Sequence, residues 1–131
     1  MAAALTFEVS LPYRSLSSNG NKGSWRVKHR ATSEYRSEAM LLAGQAMARV
    51  RWSRPERASV VLEFGIKGGR AAGRYQPRDE QNALASAKAL IDGMVDAGVV
   101  ADDSRKHLSI GGVDISDKWG PAVRVTVVAL E

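Results

Sequence analysis

The chain has 131 residues, with 19 Lys+Arg against 14 Asp+Glu and a formal net charge of +5. That length carries one domain, residues 1–131, and leaves no room for two ordinary cores. Hydrophobic content of 44% and charged content of 25% exclude a disordered or fibrous chain, and the absence of cysteine excludes a disulfide framework, a thiolate zinc site, an iron–sulfur cluster and a Cys nucleophile.

The first element is a strand over Leu5–Leu11, where Leu5, Phe7, Val9 and Leu11 alternate onto one face before Pro12. Residues 13–31 are rich in Ser, Asn, Gly, Lys and Arg. They are expected to form a long basic loop, with a short strand around Trp25–Lys28. A helix follows, capped by Thr32 or Ser33, with Glu34 in its first turn. Its apolar stripe is Tyr35, Ala39, Leu42, Ala43, Ala46 and Val50, and it ends before Arg54-Pro55. Ala58–Ile66 reads as a strand and Lys67–Arg78 as a Gly- and Arg-rich loop.

Asp79 then opens a second helix, Gln81–Ala97, which Gly98 closes. Its core stripe is Leu84, Ala87, Ile91, Met94 and Val95. Beyond the acidic turn Asp102-Asp103 come two strands, Leu108–Ile115 and Ala122–Leu130. The order β-(β)-α-β-α-β-β gives an α+β fold, a small mixed sheet with two main helices packed on it. No apolar run approaches the ~20 residues needed to span a membrane. The first residues lack the basic and apolar regions of a signal peptide, and the chain is expected to be cytoplasmic. A core of this size is modest, so a homodimer interface is an expected source of further burial.

Charge is unevenly placed. Residues 1–78 hold 14 basic and 5 acidic residues, a net of +9; residues 79–131 hold 5 and 9, a net of −4. The basic half points to a polyanion such as nucleic acid. Arg14, Lys22, Arg26, Lys28, His29 and Arg30 cluster in the first loop, and Lys67, Arg70, Arg74 and Arg78 in the second. Trp25 and Tyr75 lie among them and could stack on bases. Trp52 and Trp119 suit a core or interface. His29 and His107 have no evident partner in the sequence.

Chemistry concentrates in Arg78–Asp103. On one helix, Gln81, Lys88, Asp92 and Asp96 lie within about 80° of one another, along the edge of the buried face. Asp79 precedes the helix and Asp102-Asp103 follow it. If the chain turns back after Gly98, Asp103 can approach Asp79. Carboxylates converging from separate segments suit a hard divalent cation, which can activate water and stabilise the departing oxygen of a phosphodiester. The plainer alternatives are a helix cap at Asp79 and a solvated Lys88–Asp92 ion pair.

These residues resemble the signature of the RusA-type Holliday junction resolvases, small endonucleases of bacteria and their phages. That signature is Asp-x-Asp-Asn, a helix carrying Lys and then Asp, and a paired Asp-Asp after a Gly-hydrophobic turn. Here it reads Asp79-Glu80-Gln81-Asn82, Lys88, Asp92, Ala97-Gly98-Val99 and Asp102-Asp103. The Leu11-Pro12 strand end, the loop at Ser17–Asn19 and the final strand fit as well.

The resemblance implies a homodimeric, Mg²⁺-dependent endonuclease, with Mn²⁺ as a substitute, that nicks four-way or otherwise branched DNA in recombination and repair. Asp79, Lys88 and Asp103 match its catalytic positions. The metal would be held by Asp79 and Asp103, with Gln81, Asp92 and Asp102 nearby. Gln81 stands where the family carries a second acid, and an amide brings no negative charge. Some phage-like members also carry a non-acidic residue there. The alternatives are a DNA-junction-binding module whose metal site has degraded, and a protein–protein interaction domain that presents its Trp residues.

Overall fold

Alternating apolar side chains build the sheet. The computed structural model describes residues 4–17 and 25–130. Four strands, β1 (Ala4–Val9), β2 (Arg57–Gly65), β3 (Leu108–Ser116) and β4 (Ala122–Leu130), stand in the order β1-β4-β2-β3. β4 runs antiparallel to both β1 and β2, and β2 runs parallel to β3. The sheet is therefore mixed, as expected. Register aligns Leu5, Val127 and Val60 in one row, Phe7, Val125 and Leu62 in the next, and Val9, Val123 and Phe64 in a third. All nine side chains are buried. The helices cover this face. β1 ends at Val9, two residues before the expected limit, yet Leu11 remains fully buried.

Helix α1 spans Trp25–Val50, 26 residues. The expected loop through Ala31 and the short strand at Trp25–Lys28 are corrected: Arg26, Lys28, His29 and Arg30 are helical. Thr32 is not a cap. Its hydroxyl donates to the Lys28 carbonyl one turn back at 2.8 Å. Residues 25–30 are exposed all round, so they show no apolar stripe. They also contain no Gly or Pro, so the packed part of the helix propagates back through them. Ala31, Tyr35, Ala39, Ala43 and Ala46 form the buried stripe, whereas Leu42 is half-buried and Val50 exposed. Lys22, Ser18 and Asn19 lie outside the described residues.

The expected second helix is two helices, α2 (Glu80–Ser86) and α3 (Lys88–Ala97). They meet at Ala87, whose φ of −95° and ψ of 7° leave the helical range. Ala87 is fully buried, and the Ser86 hydroxyl donates to the Ala83 carbonyl at 2.7 Å. Gly98 closes α3 in the left-handed conformation, φ 92°, which costs a residue without a Cβ little. Together α2 and α3 form the crossover that parallel β2 and β3 require.

α3 packs against α1 at Gly93. A Cβ there would lie 2.3 Å from the Arg36 carbonyl oxygen, so only glycine admits this approach. The indole of Trp52, half-buried as a core aromatic, donates to the Val99 carbonyl at 3.0 Å. Among the described residues no helix is long and apolar enough to cross a membrane.

Candidate functional site

Lys88 begins α3, and its ammonium bridges two carboxylates. Nζ donates to Asp92 Oδ1 at 2.9 Å and to Asp103 Oδ2 at 2.8 Å. The first contact is the i, i+4 pair expected on a helix. The second arises because the chain, released by Gly98, brings the acidic turn back to the start of α3. Asp103 and then Asp92 raise the Lys88 pKa, and Lys88 holds the Asp103 carboxyl below the usual range. Lys88 and Asp103 are therefore both charged at neutral pH.

α1 supplies a second cation. The Arg36 guanidinium grips Asp96 with both Nε and Nη2, the latter at 2.8 Å from Oδ1, and Nη1 stands 4.0 Å from Asp92. Asp96 raises the Arg36 pKa, and Arg36 lowers that of Asp96. Sequence reasoning missed Arg36. It adjoins the apolar stripe of α1, and no local spacing ties it to an acid sixty residues later.

Asp79 has a different partner. It caps α2, with Oδ1 accepting from the Asn82 amide at 2.9 Å and Oδ2 from the Asn82 side chain at 2.8 Å. Gln81 is exposed in the first turn of α2, and the break at Ala87 separates it from the stripe of Lys88 and Asp92. Asp102 turns to its own loop, where Oδ1 accepts from the Ser104 amide at 2.7 Å and Ser104 lowers its pKa. The structure thus brings Lys88, Asp92 and Asp103 together and gives Asp79 and Asp102 local partners.

The site has two flanks. On one, Lys28 and Thr32 of α1 face Ser86, Lys88 and Asp92 across a cavity of 260 Å³. On the other, a groove of 550 Å³ is walled by Leu84, Ile91, Leu108 and Ile110, with Lys88, Asp103 and Arg105 also lining it.

The basic residues fall into two groups. Arg26, Lys28 and Arg30 stand on the exposed start of α1 beside Trp25, which is 72% exposed and meets the His29 ring edge-on. Arg14, Arg70, Arg74 and Arg78 line one cleft of 550 Å³ with Tyr75. Lys67 is exposed and outside that cleft. Trp119 packs against Gly65, and the Arg124 guanidinium lies 4.6 Å from its ring centre. His107 has a structural partner after all, the Glu56 carbonyl at 2.9 Å from Nδ1.

Among the described residues no group of three or more His, Asp or Glu side chains is arranged to hold a metal ion. The fit to a hard cation is partial. Asp92 and Asp103 present oxygens that converge on a single point, and that point is taken by the Lys88 ammonium. Both oxygens of Asp79 are engaged by Asn82. No protein-family model matches the chain, and no curated protein matches it.

Proposed function

We propose that the protein is a cytoplasmic, homodimeric endodeoxyribonuclease of the RusA type, which resolves four-way DNA junctions by paired symmetric nicks in recombination and repair. The observation that carries this reading is the convergence of Lys88, Asp92 and Asp103 from two segments, with Lys28 from the basic start of α1 lining the adjoining cavity. Asp79 and Asp103, helped by Asp92, Asp102 and Gln81, would hold Mg²⁺ or Mn²⁺. Such an ion supplies an activated water and screens charge on the phosphate.

The chain's own groups have separate tasks. Asp103, kept ionised by Lys88, offers a hard oxygen donor. Lys88 places a positive charge where phosphate charge would build up. The cations at the start of α1 would hold DNA arms by their phosphates, which gives a steep dependence on salt. A two-fold dimer would match the symmetry of a junction.

The test is a labelled synthetic four-way junction incubated with the protein and Mg²⁺. Paired nicks are expected. Asp103→Asn and Asp79→Asn are each expected to abolish them while leaving junction binding intact. Asn remains a good N-cap, so the second variant keeps α2. Wild-type cleavage by both variants would refute the assignment of these residues.

A second reading has its own support. Lys88 occupies the point on which Asp92 and Asp103 converge, and Asn82 engages both oxygens of Asp79. Those contacts favour a non-catalytic module that binds DNA junctions. Salt-sensitive binding without nicks in Mg²⁺ or Mn²⁺ would decide for it.

A further inference from the structure

The cleft between the 3-10 turn at Arg14–Leu16 and residues 69–78 is lined by four arginines: Arg14, Arg70, Arg74 and Arg78. No carboxylate lines it, and among the described residues none ion-pairs with any of the four. Two of the guanidinium groups, those of Arg14 and Arg74, are held by backbone carbonyls rather than by counter-ions. Arg14 donates to the Arg70 carbonyl at 3.4 Å. Arg74 donates to the Leu11 carbonyl at 3.4 Å and lies 4.0 Å from the centre of the Tyr13 ring. The backbone beneath is fixed as well, with Arg74 N bonded to the Gly69 carbonyl at 2.8 Å and Tyr75 N to the Pro12 carbonyl at 2.9 Å.

Like charges gathered on a rigid frame repel, and a bound anion relieves that repulsion. The cleft also has an aromatic wall, since half-buried Tyr75 lines it beside the arginines. Cations with an aromatic face form the combination that recognises a phosphate joined to a base. The volume of 550 Å³ falls in the range of small-ligand sites, roughly 300–1,000 Å³.

We propose that this cleft is a nucleotide site, in which the arginines take one phosphate and Tyr75 carries the attached base. A duplex keeps its base faces stacked, so the occupant is an unpaired nucleotide, from a single strand or free. This inference extends the DNA-binding part of the reading above and needs neither its metal nor its nuclease activity. Lys88, Asp92 and Asp103 do not line the cleft.

The test uses the full chain without metal and a fluorescently labelled ten-nucleotide oligo-dT read by anisotropy, with dTMP, thymidine and a ten-base-pair duplex as competitors. Oligo-dT is expected to bind and dTMP to displace it, with thymidine and duplex much weaker. Arg70→Ala and Arg78→Ala should each weaken binding about tenfold, the value of a charge-assisted phosphate contact. Tyr75→Leu should cost about as much and Tyr75→Phe little, because only the ring is needed.

Arg49→Ala removes the same charge from an exposed position on α1 and should change affinity less than twofold. If Arg49→Ala costs as much as Arg70→Ala, binding is diffuse electrostatics and the site is overturned. Equal competition by duplex, or no loss in Tyr75→Leu, overturns it too. Displacement by dTMP at concentrations far below those of oligo-dT assigns the site to free nucleotide; the reverse assigns it to strands. A chain that never nicks a junction passes or fails this test on its own.

Discussion

Gly93→Ala sets two effects of known size against each other. In an isolated helix, replacing glycine by alanine stabilises by about 1 kcal/mol. In this protein the new Cβ would stand 2.3 Å from the Arg36 carbonyl oxygen, 2.8 Å from Ala39 Cβ and 3.0 Å from Met40 N. Ordinary contact begins near 3.4 Å. α1 and α3 would therefore have to separate by about 1 Å, because two of the three obstructing atoms belong to the α1 backbone and cannot rotate away. Overpacking of a tight core costs about 1–3 kcal/mol, and a backbone clash belongs at the upper end. The net expectation is a loss of about 2 kcal/mol, or a fall in Tm of roughly 7 °C for a domain of this size. Urea unfolding followed by far-UV circular dichroism measures it as a lower midpoint at unchanged slope. A midpoint higher than wild type would mean that helix propensity outweighs packing, and the close approach would be refuted.

Three further outcomes are expected. Tyr35 is fully buried and its hydroxyl donates to the Ser10 carbonyl at 2.7 Å, so Tyr35→Phe should lower unfolding stability by about 1–2 kcal/mol in the same urea assay. Lys88 lowers the folded-state pKa of Asp103, and Arg36 does the same for Asp96. In acid the unfolded chain thus binds more protons than the folded one, so their stabilisation is present above the unfolded value of about 4 and lost as pH falls through the depressed values. A titration of the urea midpoint from pH 5 downward should show this loss, and Lys88→Met should flatten the Asp103 part. Finally, Gln81→Asp adds a carboxylate at the exposed start of α2, and under the nuclease reading the Mg²⁺ concentration for half-maximal cleavage should fall about tenfold.

The sheet was legible because its buried rows depend on a period of two that the sequence displays directly, as in Val123, Val125 and Val127. The cap at Asp79 and the close at Gly98 were legible for the same reason: each follows from the local chemistry of one residue. The start of α1 was not, because Trp25–Arg30 face water on every side and no stripe marks them as helical. Nor was the break at Ala87, where the apolar stripe continues unbroken and only tertiary packing around a fully buried alanine reveals the turn. At the candidate site, Lys88–Asp92 was readable from i, i+4 spacing. The contacts of Lys88 with Asp103 and of Arg36 with Asp96 were not. Both depend on where the fold returns the chain rather than on any spacing along it.

Those contacts change the meaning of the charge division. The acidic segment from Asp79 to Asp103 contains one cation of its own, Lys88, and six acids. Counted that way it demands an external cation. In the fold, Arg36 arrives from the basic half to hold Asp96, Lys88 is shared by Asp92 and Asp103, Asn82 engages Asp79, and the Ser104 amide engages Asp102. Five of the six acids are thus met by groups of the chain itself. Arg14, Arg70, Arg74 and Arg78 have no carboxylate partner among the described residues. The electrostatic demand left unmet is for an anion rather than a cation. Binding of a polyanion is therefore the better supported half of the proposed activity. The metal-dependent half requires Lys88 to yield one of its carboxylates, or Asp79 to leave Asn82, when a cation enters.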